Sequence, residues 1–180
     1  MPSIRCVLLA AGVAAGLWAL ADGFGRPLGA DDAVSDDDRR ARVEAMYRNY
    51  KKYFPDVQDL APAEAMELTK AGRAVFVDVR EEKEQVVSML PGAVPQKEFL
   101  RQPERYRDKV VIGYCTISYR SGKLAERLKA RGISMLNLQG GMLAWVHAGG
   151  KLYDRDGETL RIHVYGRKWD LAPRGYEAIW

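Results

Sequence analysis

In the stretch VVIGYCTISYRSGKLAERL, Cys115 ends an apolar run, a helix-like segment follows, and Arg120 lies five positions on. A thiol at the carboxyl end of a strand in a parallel α/β sheet stands where such folds bind ligands. Backbone N–H groups of the loop 116–121 are expected to point at the sulfur, as in other anion-cradling nests. The N-terminus of the following helix adds roughly half a positive charge. Both effects favour thiolate over thiol, so the arrangement predicts a nucleophile at neutral pH. The competing reading is a small hydrophobe at a strand end. Arg120 and the short loop turn the choice toward the nucleophile. The planar fork of Arg120 suits an oxyanion donor, though it would equally serve a salt bridge to a nearby carboxylate. Ser121 is expected to cap the helix.

The chain is sparing with cysteine. Its only other one, Cys6, opens an uncharged run that ends at Ala21, behind a single positive charge at Arg5. That run is short for a membrane-spanning helix and closes on Ala19-Leu20-Ala21, the small-x-small pattern of a secretory cleavage site. The expectation is an exported protein (periplasmic or secreted), with an uncleaved membrane anchor through residues 6–21 as the alternative. Removal of residues 1–21 would leave Cys115 as a lone thiol with no internal disulfide. A lone thiol in an oxidising compartment is either inert in the core or kept for its reactivity.

Composition excludes several classes. Of 180 residues, 47% are hydrophobic and 29% charged, ordinary for a globular domain with a normal core. The net charge of +4 is spread among acidic neighbours, and YRNYKKYF (47–54) reads as a helix face, so no nucleic-acid partner is expected. His147 and His163 are the only histidines. Neither forms a ligand-spaced cluster with Cys115, so no metal is expected. His147 is expected at the surface or at a cap, and His163 facing solvent. No dinucleotide fingerprint or phosphate loop is present, so no cofactor is implied.

The elements that must position Cys115 follow from periodicity. Residues 22–35 read as a linker. Ser35 and Asp38 resemble a capping box, and Val43, Met46, Tyr47 and Tyr50 recur at helical spacing. This predicts an amphipathic helix over 36–55 whose aromatic stripe packs on the domain. Residues 56–149 then alternate helix and strand. AVFVDVR and KVVIGYC are apolar enough for buried parallel strands, and ISMLNL is a third. SGKLAERLKARG is a helix with Leu124 and Leu128 on one face and Gly132 as its stop. The expected fold is α/β, a mainly parallel sheet flanked by helices on both faces. Residues 150–180 read as an extension packed on the domain, with a hairpin centred on Asp156-Gly157.

Four segments in order carry a resemblance. VFVDVREEKEQ is similar to the Asp-x-Arg strand and acidic helix of rhodanese-type sulfurtransferases, and MLPGAVP resembles their His-Ile-Pro-Gly-Ala turn, with Met89 in place of His. CTISYRS resembles their Cys-x-x-Gly-x-Arg-Ser loop, and LQGGMLAW their closing Gly-Gly-x-x-Ala-Trp. Residues 61–148 thus resemble a rhodanese-like, single-domain sulfurtransferase. The resemblance implies that Cys115 takes a sulfane sulfur from thiosulfate or another persulfide donor and passes it to a thiol acceptor. It implies a binding loop of Thr116, Ile117, Ser118, Tyr119, Arg120 and Ser121, with Asp78 and Arg80 in support. Ser118 stands where glycine is usual, which puts unusual dihedrals and substrate approach at issue. Two rivals remain. One is phosphatase chemistry, which wants a longer Cys-x5-Arg loop. The other is an inactive rhodanese-like module that binds a partner and senses redox state.

Overall fold

The computed structural model describes residues 34–180. The expected signal or anchor segment, Cys6 and residues 22–33 of the expected linker lie outside the described residues. Among the described residues no helix is long and apolar enough to cross a membrane.

Ser35 is extended and its hydroxyl accepts the Asp38 N–H at 3.1 Å, so helix α1 (Asp36–Lys51) opens where the capping box was expected. Aspartates 36, 37 and 38 in its first turn and Arg48 and Lys51 in its last complement the helix dipole.

Five parallel strands form the central sheet: β1 (Asp59–Leu60), β2 (Ala74–Asp78), β3 (Val94–Pro95), β4 (Val110–Tyr114) and β5 (Leu136–Leu138), in the order β1-β5-β4-β2-β3. β2 and β4 pair from Ala74↔Val110 to Asp78↔Tyr114. After their first residue both strands are buried throughout, which is why they read as unbroken apolar runs. Their side chains alternate between two cores. Phe76, Ile112, Tyr114 and Leu138 enter one, with Val43 of α1, Ala65 of α2 (Pro62–Lys70) and Met142 of α6 (Gly141–His147). Val75, Val77 and Val111 enter the other, with Phe99 of α4 (Gln96–Arg101) and Leu124 and Leu128 of α5 (Tyr119–Lys129). A short α3 (Glu82–Gln85) follows β2. The fold is the expected one, a mainly parallel α/β sheet covered by helices on both faces.

The C-terminal part departs from expectation in detail. The hairpin joins β6 (Leu152–Asp154) to β7 (Gly157–Thr159), with Asp154 opposite Gly157. Its turn residues are therefore Arg155 and Asp156, one position earlier than Asp156-Gly157. The Asp154 carboxylate accepts the N–H groups of Asp156 at 2.9 Å and Gly157 at 3.1 Å, so an Asx turn closes it. A second small sheet then pairs β8 (Arg161–His163) in parallel with β9 (Glu177–Ile179). His163 is 6% exposed, against the expectation that it faces solvent. The alternation argument assumes one open face, whereas Ile162 and His163 of β8 are both covered.

The remaining tail is tied back to α1 and α6. Leu171 and Ala172 are buried in the core beside α6. Arg39 donates to the carbonyls of Asp170 at 3.3 Å and Ala172 at 3.2 Å. Half-buried His147 donates Nε2–H to the Leu171 carbonyl at 2.7 Å, so it clamps the tail.

Candidate functional site

Cys115 follows directly on β4, at the carboxyl end of the sheet, and is 2% exposed. Residues 116–118 carry the chain to α5, which begins at Tyr119. Tyr119, Arg120 and Ser121, expected in a loop, are thus its first turn. Ser118, not Ser121, is at the N-cap. Ser118 has φ +78°, the left-handed region that favours glycine. Its hydroxyl donates to the Leu138 carbonyl at 2.5 Å, anchoring the bend to the neighbouring strand. This serine satisfies by a hydrogen bond a conformation that glycine would take without one.

The other side of the loop is held by α6. The N–H of Met142 donates to the Cys115 carbonyl at 2.9 Å, and that of Leu143 to the Thr116 carbonyl at 3.2 Å. Gly141 makes this approach possible. With φ +60°, a Cβ there would collide with the Cys115 carbonyl oxygen and lie 2.8 Å from the Ile117 nitrogen.

Arg120 is engaged within the protein. Its Nη1 donates to Glu84 Oε2 at 2.6 Å and its Nη2 to Glu84 Oε1 at 2.7 Å, a two-pronged pair, with Thr116 Oγ1 at 3.3 Å. The guanidinium also lies over the Tyr165 ring, 5.1 Å from its centroid. Glu84 is fully buried and also accepts the Glu81 N–H at 2.9 Å. Burial opposes the charge of each partner. Pairing wins: Arg120, the Glu81 N–H and Arg80 hold Glu84 below the usual carboxylate range, and Glu84 together with the neighbouring Cys115 sulfur holds Arg120 above its ordinary value. His163 lies beside them, with Nδ1 3.9 Å from Glu84 Oε1 and accepting the Tyr165 N–H at 3.1 Å. Burial pushes His163 below its ordinary value despite the pull of Glu84. Glu84 is a residue that the sequence reading missed. The run Glu81, Glu82, Lys83, Glu84 gives no local sign of which carboxylate turns inward.

Ser121 sits at the third helical position and is fully buried. Its hydroxyl lies 2.7 Å from Asn137 Oδ1, 3.2 Å from the Ser118 carbonyl and 3.8 Å from the Cys115 sulfur. Asn137 Nδ2 in turn donates to Asp59 at 2.8 Å, and Asp59 pairs with Lys51 at 2.5 Å. A buried polar chain thus runs from the thiol to α1. Asn137 was not singled out from the sequence.

Asp78 and Arg80 do not reach the thiol's loop. Arg80 Nη2 and Nε contact the Asp78 carboxylate at 2.7 and 3.0 Å, and Nη2 donates to the Ser88 carbonyl at 2.6 Å. Tyr114 donates to Asp78 at 2.6 Å and receives the Leu90 N–H at 3.2 Å. Both charges are buried and fully partnered. The cluster ties the ends of β2 and β4 to the turn at 88–90.

Cys115 opens into a cleft of about 310 Å³ lined by Tyr50, Thr116, Ile117, Tyr119, Arg120, Tyr165 and Trp169. Tyr50 meets Tyr119 at a tilt of 55° with 5.3 Å between centroids, and Tyr165 meets Trp169 edge-on at 5.2 Å. Tyr50, which the sequence reading assigned to packing alone, is therefore also a wall of the cleft. Tyr165 and Trp169 come from the C-terminal extension. A cysteine sulfur, a polar first turn and an aromatic chamber stand together, a setting that could serve covalent transfer of a small group.

Comparison with known proteins agrees with the fold. Residues 61–148 match the family described as Rhodanese-like domain. The chain is 31% identical over 94 residues to "Uncharacterized protein slr1261" of Synechocystis sp. (strain ATCC 27184 / PCC 6803 / Kazusa), covering 50% of this chain and 52% of that one. Thus it spans about half the length of that relative. It is 29% identical over 98 residues to "Putative sulfurtransferase YtwF" of Bacillus subtilis (strain 168), covering 50% of this chain and 91% of the relative. Among solved structures, a thiosulfate sulfurtransferase from Pseudomonas aeruginosa superposes with a TM-score of 0.52 at 23% identity, over 64% of this chain and 23% of the other. That likeness is one of fold. Residues 61–148, just under half of the chain, are thus similar to the family described as Rhodanese-like domain.

Proposed function

We propose that the protein is a sulfurtransferase that carries a sulfane sulfur on Cys115. The observation behind this reading is the position of the thiol. It sits at the carboxyl end of β4, four residues before the start of an 11-residue helix, and lines a cleft. The N-terminus of a helix carries partial positive charge and unpaired N–H groups, a favourable place for an anionic donor. The Cys115 thiolate attacks the sulfane sulfur of a donor R–S–SH. The donor S–S bond breaks, a new one forms at Cys115, and RS⁻ leaves with the electron pair. An acceptor thiolate then attacks the outer sulfur and regenerates Cys115. Dividing the transfer this way lets donor and acceptor use one site in turn.

Arg120, paired with Glu84, presents a largely neutralised ion pair to the cleft and positions the first turn more than it attracts anions. The reading is tested by mass spectrometry of the full chain before and after treatment with cysteine persulfide, beside Cys115→Ser. The expected result is a gain of ~32 Da, one sulfur atom, removed by cyanide and absent in the variant. A second reading, an inactive redox-sensing module, draws on the 2% exposure of Cys115. A thiol that neither gains sulfur nor alkylates at neutral pH would favour it.

A further inference from the structure

The walls of the Cys115 cleft carry information about the donor. Of its lining residues among those described, only Arg120 bears a fixed charge, and both Nη atoms of that side chain are held by Glu84. Lys168 stacks on the Trp169 ring at 3.9 Å and is not itself a lining residue. A small inorganic dianion would therefore meet a neutralised pair in a mostly aromatic chamber. Desolvating a dianion without an unpaired cation to receive it is unfavourable.

The same walls suit a ring. Tyr50, Tyr119, Tyr165 and Trp169 surround a space of about 310 Å³. Tyr119 is 40% exposed and Tyr165 53% exposed, so each keeps accessible surface beyond its contacts with Tyr50, Tyr53 and Phe54 or with Arg120 and Trp169. Three of these four residues, Tyr50, Tyr165 and Trp169, lie outside the rhodanese-like domain at 61–148. The N-terminal helix and the C-terminal extension bring them there, and Arg39 and His147 pin the extension in place. The chain outside the domain thus builds an aromatic chamber over the domain's nucleophile.

We infer that the donor for Cys115 is a sulfane sulfur on a carbon-rich, ring-bearing carrier, an organic persulfide or thiosulfonate, and not inorganic thiosulfate. This rests on the sulfurtransferase reading above. With an aryl thiosulfonate, Ar–SO2–S⁻, the Cys115 thiolate attacks the terminal sulfur. The S–S bond of the donor breaks, Cys115–S–S⁻ forms, and ArSO2⁻ leaves with the bonding pair. No outside oxidant or reductant is needed. The ring of the carrier stacks on Tyr165 and Trp169 while the sulfur enters toward Cys115.

The test compares benzenethiosulfonate, methanethiosulfonate and thiosulfate as donors to the full native chain, following persulfide formation by time-resolved mass spectrometry. All three give the same Cys115 persulfide, and each rate is divided by that donor's rate with free cysteine to remove intrinsic reactivity. Benzenethiosulfonate is expected to exceed methanethiosulfonate by about three- to tenfold, the range of one or two aromatic contacts, and thiosulfate by more. In Trp169→Ala the preference for the benzene over the methane donor should fall several-fold. Thiosulfate loading as fast as benzenethiosulfonate, or an undiminished preference in Trp169→Ala, would overturn the inference and leave the sulfurtransferase reading standing. Loading by cysteine persulfide but by none of these three would overturn the inference alone, and loading by no donor, cysteine persulfide included, would remove the sulfurtransferase reading and this inference with it. The donor comparison needs only the native chain, so a variant that fails to fold does not decide the matter.

Discussion

Replacing Glu84 by Gln probes the pair on which the arrangement of the cleft depends. Glu84 is fully buried, and its carboxylate receives two guanidinium donors at 2.6 and 2.7 Å and a backbone N–H at 2.9 Å. The amide keeps the shape but turns a donor toward a donor and leaves Arg120 uncompensated. Breaking a buried pair by removing one partner typically costs about 3–5 kcal/mol. The Arg120 side chain is 28% exposed, so water relieves part of that penalty, and the remaining carbonyl keeps one bond. These reductions bring the expected loss to about 2 kcal/mol, the strength of one charge-assisted hydrogen bond. With a urea m-value of about 2 kcal/mol/M, the unfolding midpoint should fall by about 1 M at pH 7.

The pH dependence fixes the sign. Glu84 in the folded protein lies below the usual carboxylate range, so the folded state binds fewer protons than the unfolded one in that window. Its stabilising effect is complete above the unfolded carboxylate value of about 4.3 and is lost as the pH falls through the folded value. The native chain and Glu84→Gln should therefore differ most at neutral pH and converge in acid. Urea unfolding at several pH values, followed by far-UV circular dichroism, reads this directly. A difference under about 0.5 kcal/mol at pH 7, or one that does not shrink in acid, would refute the claim that this buried ion pair anchors the first turn of α5.

Two further predictions concern the loop itself. Gly141→Ala should destabilise the chain by about 1–2 kcal/mol or more through its left-handed backbone alone, and the collision with the Cys115 carbonyl should displace the loop. Unfolding measured beside the alkylation rate of Cys115 checks both, and a native-like rate would show that the loop keeps its place without this contact. Ser118→Gly relieves a strained φ of +78° but removes the bond to Leu138. These terms are of similar size, about 1 kcal/mol each, so stability should stay within about 1 kcal/mol and persulfide formation should persist. Urea unfolding and the mass gain at Cys115 measure the two effects.

The parts of this fold that were legible in the sequence are those whose cause is local. β2 and β4 announce themselves because strands buried on both faces have no polar side to interrupt them. Ser35 and Asp38 mark a helix start because capping is settled within four residues. Cys115, Ser118 and Arg120 stood out because a loop leading from strand to helix has a short, ordered set of residues. What could not be read depends on long-range packing. Glu84 and Arg120 are far apart in the chain, and Glu81 and Glu82 beside Glu84 have the same local character. β8 and β9 are only three residues each and meet through the fold, so neither shows a usable alternation. His163 was misplaced for that reason: its strand is covered on both faces.

The same division bears on what the site does. The nucleophile and its loop belong to residues 61–148, but the cleft over them is completed by Tyr50 from α1 and by Tyr165 and Trp169 from the extension. Glu84 withdraws the charge of Arg120 from that cleft, while Ser121, Asn137, Asp59 and Lys51 link the thiol's surroundings to the same α1. A change in α1 therefore alters both the cleft wall and the polar chain behind the sulfur, whereas a change in the tail alters the wall. Chemistry held by the domain and selectivity held by its flanks are separable in principle. In this chain they share α1, so on the proposed reading exchanging that helix should change donor preference and Cys115 reactivity together, whereas exchanging the tail should change donor preference alone.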